Sequence, residues 1–104
     1  MPKASISLQL LPQTNMKDAY RIVDRVLDMF SREKDIRYVV GPMDTVIEGE
    51  LDRLLDLVQR AIRLSHDEGV SSVFSVVKIF SGDGELGCGL LDSVRPAMDR
   101  HNNA

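Results

Sequence analysis

The sequence predicts an α+β fold with the element order β-α-β-β-α-β, and three observations lead there. Short stretches alternate apolar and polar side chains with a period of two, the mark of half-buried strands. Two longer stretches repeat at helical spacing. The strand–helix–strand unit then occurs twice, each copy about 35–40 residues long.

The first strand covers residues 4–11, with Ile6, Leu8 and Leu10 on one face and Ser5, Ser7 and Gln9 on the other. Pro12 closes it, because proline has no amide proton for the ladder. Thr14 or Asn15 then caps a helix, and Asp18 in its first turn suits the positive end of the helix dipole. Ala19, Val23, Val26, Leu27 and Phe30 make one stripe, carrying the helix to about Lys34. A second strand runs over 36–40 and a third over 45–49, joined by the tight turn Gly41-Pro42-Met43-Asp44. Pro42 supplies the φ that the second position of such a turn requires. The second helix spans about 50–67, with Leu51, Leu54, Leu55, Val58, Ile62 and Ser65 as its inward stripe. Gly69 is its stop signal, and residues 72–80 form the fourth strand.

Joined in this order, the elements make a ferredoxin-like sandwich, a four-stranded antiparallel sheet with both helices on one face. The 104 residues fit a single domain with its core over about 4–80. The tail from 81 to 104 starts rich in glycine and then offers a short helix around Leu90–Met98, interrupted by Pro96, and a frayed end.

Composition narrows the function. A net charge of −3 with no run of basic residues gives no electrostatic footprint for nucleic acid. No apolar stretch approaches the ~20 residues that span a bilayer. The N-terminus lacks a signal-like apolar region, and Cys88 is the only cysteine, so a reducing, cytoplasmic setting is expected.

Strand parity fixes what points away from the helices: Ser5, Ser7, Gln9, Arg37, Val39, Val46, Glu48, Phe74, Val76, Lys78 and Phe80. A face left in water is mostly polar, yet this one mixes large apolar side chains with isolated charges, the composition of an interface. Packing between copies of the chain accounts for that mixture. So does a ligand site at the rim of such a contact, with Glu48 and Lys78 either serving it or forming a structural ion pair.

Other signals carry less. Gly82-Asp83-Gly84-Glu85-Leu86-Gly87 matches G-x-G-x-x-G literally but opens no βαβ unit, so it reads as a turn. His66 and His101 have no partners at metal-ligand spacing, and Cys88 has no neighbouring activating group in the sequence. An enzyme that used the space between paired sheets would want an acid–base group there, and Glu48 is the sole candidate.

The string Gly41-Pro42-Met43-Asp44-Thr45-Val46-Ile47-Glu48-Gly49-Glu50-Leu51-Asp52 resembles the signature of the YkoF-like thiamine-binding family. Leu11-Pro12 at the end of the first strand, the Gly69 stop and Val77-Lys78-Ile79 resemble the same family in the same order. Asp44 stands where that family commonly has glycine, and the Gly-rich tail differs from the family's charged tails. The resemblance implies a non-catalytic homo-oligomer, a dimer or a dimer of dimers joined through sheets. It also implies a pocket at a subunit contact for thiamine or its hydroxymethylpyrimidine portion. An aminopyrimidine presents an amino donor beside ring-nitrogen acceptors, and Glu48, Thr45, Ser7, Gln9 and Lys78 supply complementary groups. Phe74 or Met43 would cover the ring, and Glu48 would favour the thiazolium cation. Each has an ordinary alternative: Glu48 as a cap of the second helix, Thr45 as a helix-side strand residue, Lys78 as a snorkelling or paired lysine. Ser7 and Gln9 are unremarkable outward strand positions. A structural or regulatory oligomer without any small ligand is the competing function.

Overall fold

Alternation in the first strand dictates how the sheet is built. In the computed structural model, which describes residues 2–83 and 89–102, Lys3–Pro12 forms β1 at the centre of the sheet. It is followed by α1 (Met16–Ser31), β2 (Arg37–Val40), β3 (Thr45–Glu50), α2 (Leu51–Asp67), β4 (Val73–Gly82) and α3 (Leu90–His101). The strand order is β2-β3-β1-β4, and every pairing is antiparallel. This is the β-α-β-β-α-β fold that the sequence predicts, with a third helix added.

Opposite residues share a face, so the register assigns each side chain. Ile6 faces Ile47 and Ile79, and Leu8 faces Thr45 and Val77. Ile6, Leu8 and Ile47, with Ala4 and Tyr38, lie against α1 and α2, whereas Val77 and Ile79 on the edge strand stay exposed. Phe30, Ile6, Ile47, Leu54, Leu57 and Ala61 are fully buried there. On the reverse face Ser5 lies between Glu48 and Phe80, and Ser7 between Val46 and Lys78.

Local chemistry sets the helix boundaries. Asn15 caps α1, its Oδ1 accepting the Asp18 amide at 2.8 Å. The helix stops at Ser31, about a turn earlier than the sequence suggests, and the Glu33 amide donates to the Phe30 carbonyl in a closing turn. Past the end of α2, Gly69 adopts φ +104°, a backbone state that side chains disfavour.

Two expectations need correction. The buried face of α2 is Leu54, Leu57, Val58, Ala61 and Ser65, whereas Leu55 is 42% exposed. Apolar residues flank that face on both sides, so periodicity alone admitted a helix rotated by part of a turn. The tail is also more than a short helix with a frayed end. Its helix reaches His101 and folds back over the sheet face that α1 and α2 leave uncovered, burying Leu91 to 4% exposure.

Candidate functional site

Two concavities flank the sheet, one on each side. The larger, about 820 Å³, opens between α1 and the ends of β1 and β3, within the ~300–1,000 Å³ typical of small-molecule sites. The turn Gly41–Asp44 forms one lip. It is held closed by the Gly41 amide, which donates to the Asp44 carbonyl at 2.8 Å. A β-carbon at Gly41 would sit 3.0 Å from the same carbonyl oxygen, so the turn would have to give by a few tenths of an ångström to take any other residue.

Thr45 borders the cleft, buried to 7% exposure on the helix side of the sheet, with Leu8 directly across. Met43 projects at the rim, 74% exposed. On the opposite lip Met16, Tyr20 and Asp24 recur every four residues along α1. Phe30, Val26 and Leu27 complete the apolar wall. Polar groups come from Gln9, Gln13, Thr14, Asp24, Asp44 and Thr45. The Asp44 carboxylate itself turns to the reverse face of the sheet, where its Oδ2 accepts a 2.5 Å hydrogen bond from Ser7 Oγ.

The smaller hollow, about 380 Å³, lies on the reverse face between α3 and the sheet. Ser5, Ser7, Val46, Lys78 and Phe80 form its floor, and Leu90, Leu91 and Val94 of α3 its wall. Beside it Glu48 is buried to 2% exposure. Its Oε2 accepts from Ser5 Oγ at 2.6 Å and from the Leu91 amide at 3.3 Å, whereas Oε1 has no hydrogen-bond partner among the described residues. The capping residue of α3, Gly89, has no side chain to serve its own helix. Glu48 therefore supplies that service from the sheet, a carboxylate at the positive end of the dipole. Arg37 reinforces the clasp with a two-pronged contact to Asp92, at 2.9 and 2.7 Å. Its guanidinium holds the Asp92 carboxyl below the usual carboxylate range.

The predicted site residues therefore separate. Thr45, Met43 and Gln9 line the α1 cleft. Ser7 and Lys78 line the α3 hollow, with Glu48 alongside. Phe74, 62% exposed and opposite Leu11 in the register, borders neither. The Glu48–Lys78 ion pair considered from the sequence does not form. β1 runs between the two residues, and Glu48 spends its charge on Ser5 and α3. The sequence reading missed Met16, Tyr20 and Asp24. The available signal was two exposed large apolar residues, Met16 and Tyr20, adjoining the buried stripe of α1.

Elsewhere, Arg53 joins Glu33, Asp35 and Asp56, and Arg60 shares Glu33 and Asp56. The Arg53 hydrogen bond lowers the Asp35 carboxyl pKa. This network ties the α1–β2 connection to α2. No helix is long and apolar enough to cross a membrane, and no three His, Cys, Asp or Glu side chains are grouped to hold a metal, among the described residues. Cys88 and most of the Gly82–Gly87 string lie outside the described residues.

Comparison with known proteins agrees with this architecture. The family model described as thiamine-binding protein matches residues 6–85. UPF0045 protein CPE1503 of Clostridium perfringens is 35% identical over 79 residues, spanning 76% of this chain and 82% of that protein. A Bacillus cereus structure described as a domain of unknown function, DUF77, superposes with a TM-score of 0.79 at 34% identity, covering 94% of this chain and 92% of that one. The Streptococcus pneumoniae protein SP2199 gives a TM-score of 0.72 at 32% identity, covering 93% and 98% respectively. With most of its length matched in sequence and its sheet and helices matched in space, the chain belongs to the thiamine-binding protein family.

Proposed function

We propose that this protein binds thiamine, or the hydroxymethylpyrimidine portion of it, without catalysing a reaction, and does so as a homo-oligomer. One observation carries the reading: the Gly41–Thr45 string at the heart of the family resemblance is also the lip and floor of the 820 Å³ cleft. The cleft has the composition such a ligand needs. Its walls are apolar and aromatic, and Thr45, Gln9 and Asp24 are among the few polar residues along it that would orient an aminopyrimidine. Thr45, Met43 and Gln9 thus remain ligand candidates. For Glu48 and Ser7 the better role is holding α3 and the turn, Lys78 lines the α3 hollow, and Phe74 is better suited to a subunit contact.

Self-association is supported by β4. It is an edge strand of ten residues on which Phe74, Val77, Ile79 and Phe80 are all exposed. An edge of this kind is ordinarily covered. Met43 and Tyr20, 74% and 65% exposed at the mouth of the cleft, offer further apolar surface where a neighbouring subunit would close over the ligand.

Isothermal titration of thiamine and of hydroxymethylpyrimidine into the purified protein tests the reading, with saturable heat and a raised melting temperature expected. No heat and no thermal shift at millimolar ligand would leave the competing role, a structural oligomer.

A further inference from the structure

We infer that Ser7 is a positioning residue for the α1 cleft: from the reverse face of the sheet it latches the Gly41–Asp44 turn and so sets the lip that meets the ligand; this rests on the binding role proposed above. The ladder between β1 and β3 ends at the pair Leu8–Thr45. One residue further, Asp44 has left the ladder, and the turn that it closes carries the lip of the cleft. The tip of a hairpin is ordinarily the loosest part of a sheet. Here a side-chain bond takes over where the backbone pairing stops. Ser7 Oγ donates to Asp44 Oδ2 at 2.5 Å, across 37 positions of sequence.

The anchor of this latch is firm. Ser7 belongs to β1, the strand paired with β3 on one side and with β4 on the other, and it stands directly between Val46 and Lys78. The Gly41 amide closes the turn on the Asp44 carbonyl at 2.8 Å. That backbone bond shapes the turn, whereas the side-chain bond ties it to the central strand. The two residues that flank Asp44 in the chain are the ones that border the ligand space: Met43 at the rim, 74% exposed, and Thr45, buried to 7%. Any swing of the lip moves Met43 first. A ligand that had to order a loose lip would bind more weakly by the entropy of that ordering, and a lip already held spares it. Ser7 does not line the cleft, so its effect on affinity passes through Asp44.

Thiamine calorimetry and amide exchange on S7A, D44A, S7A/D44A and S7T test the latch. In S7A without ligand, the Gly41 amide should exchange several-fold faster. Thiamine affinity of the same variant should fall by about fivefold or more. D44A should behave alike, and S7A/D44A should be no worse than the weaker-binding single variant, because the two residues act as one unit. S7T keeps the hydroxyl and should restore both readouts. E48A loosens α3 on the same face without touching the latch, so it should bind thiamine nearly as the parent does. Parental affinity in S7A overturns the positioning role while leaving the binding role in place. So do additive losses in S7A/D44A, and so does an equal loss in E48A, which would make the effect a general loosening of the sheet. Unchanged Gly41 exchange in S7A has the same consequence. Absence of heat even from the parent protein overturns the binding role and the positioning role together.

Discussion

The Leu91 amide donates to Glu48 Oε2 at 3.3 Å, joining the start of α3 to the middle of β3 across 43 positions of sequence. This contact places Glu48 in the scaffold rather than in the cleft, and it gives the carboxylate a testable duty. In E48A, Ser5 Oγ and the Leu91 amide lose their acceptor in a buried setting, at a cost of about 1–3 kcal/mol. Urea unfolding should show that loss, and amide exchange over 90–101 should accelerate. Thiamine affinity should change by less than about threefold, since Glu48 does not line the cleft. A large loss of affinity with α3 still protected would return Glu48 to the ligand site.

Thr45 offers the complementary case, a small polar residue buried to 7% exposure at the border of the cleft. T45V keeps the shape and removes the hydroxyl. Stability should stay within about 1 kcal/mol of the parent, because a β-branched residue suits the strand. Affinity for hydroxymethylpyrimidine should fall by about tenfold, the worth of roughly one good hydrogen bond. Calorimetry reads both ligands, and an unchanged affinity would remove Thr45 from the site.

Acid should loosen α3 before it unfolds the core. The Arg37 guanidinium lowers the Asp92 pKa from its ordinary value of 3.8. A carboxyl whose folded-state pKa is depressed stabilises the fold above its unfolded value, and that contribution disappears as pH falls through the folded one. Docking of α3 should thus be insensitive to pH from neutrality down to about 4, then weaken below it. D92N should remove this acid step. Both Arg37 and Asp92 are exposed, so the effect is small and shrinks with salt. Hydrogen exchange over 90–101 at pH 3 and 5 is the measurement, and an identical pH response in D92N would refute it.

Much of this was legible in the sequence because strands and helices write their burial into simple periods. Ile6, Leu8 and Ile47 alternate with Ser5, Ser7 and Glu48, and the register found in the sheet follows that alternation. The Gly41–Thr45 turn was visible from Gly and Pro alone. What parity could not reveal was distance along the face. Glu48 and Lys78 share a side but sit on opposite flanks of β1. Nor did the amphipathic weakness of residues 90–101, with Pro96 inside, announce a helix that buries one leucine and borrows its cap from a strand. The cleft itself is a tertiary object. Met16 and Tyr20 looked like surface exceptions until β3 brought Thr45 and Asp44 opposite them.

The orientation of α2 separates two rotations that the sequence left open. Leu57 is fully buried within the core cluster, and Leu55, two residues earlier, is 42% exposed. Truncating Leu57 to alanine removes about three methylene equivalents from a filled space and leaves a cavity, a loss of about 2–5 kcal/mol. Leu55→Ala removes the same atoms from a half-wet surface and replaces them with the best helix former, so it should cost less than about 1 kcal/mol. Paired urea titrations with a common m-value make the comparison direct. If Leu55→Ala proved the costlier of the two in the monomeric protein, α2 would have to turn by more than a quarter of a revolution, and the packing of Leu54 and Ala61 under Ile6 and Ile47 would have to be redrawn. If the cost of Leu55→Ala instead appeared only at concentrations where the protein self-associates, the exposed leucine would belong to the contact between subunits.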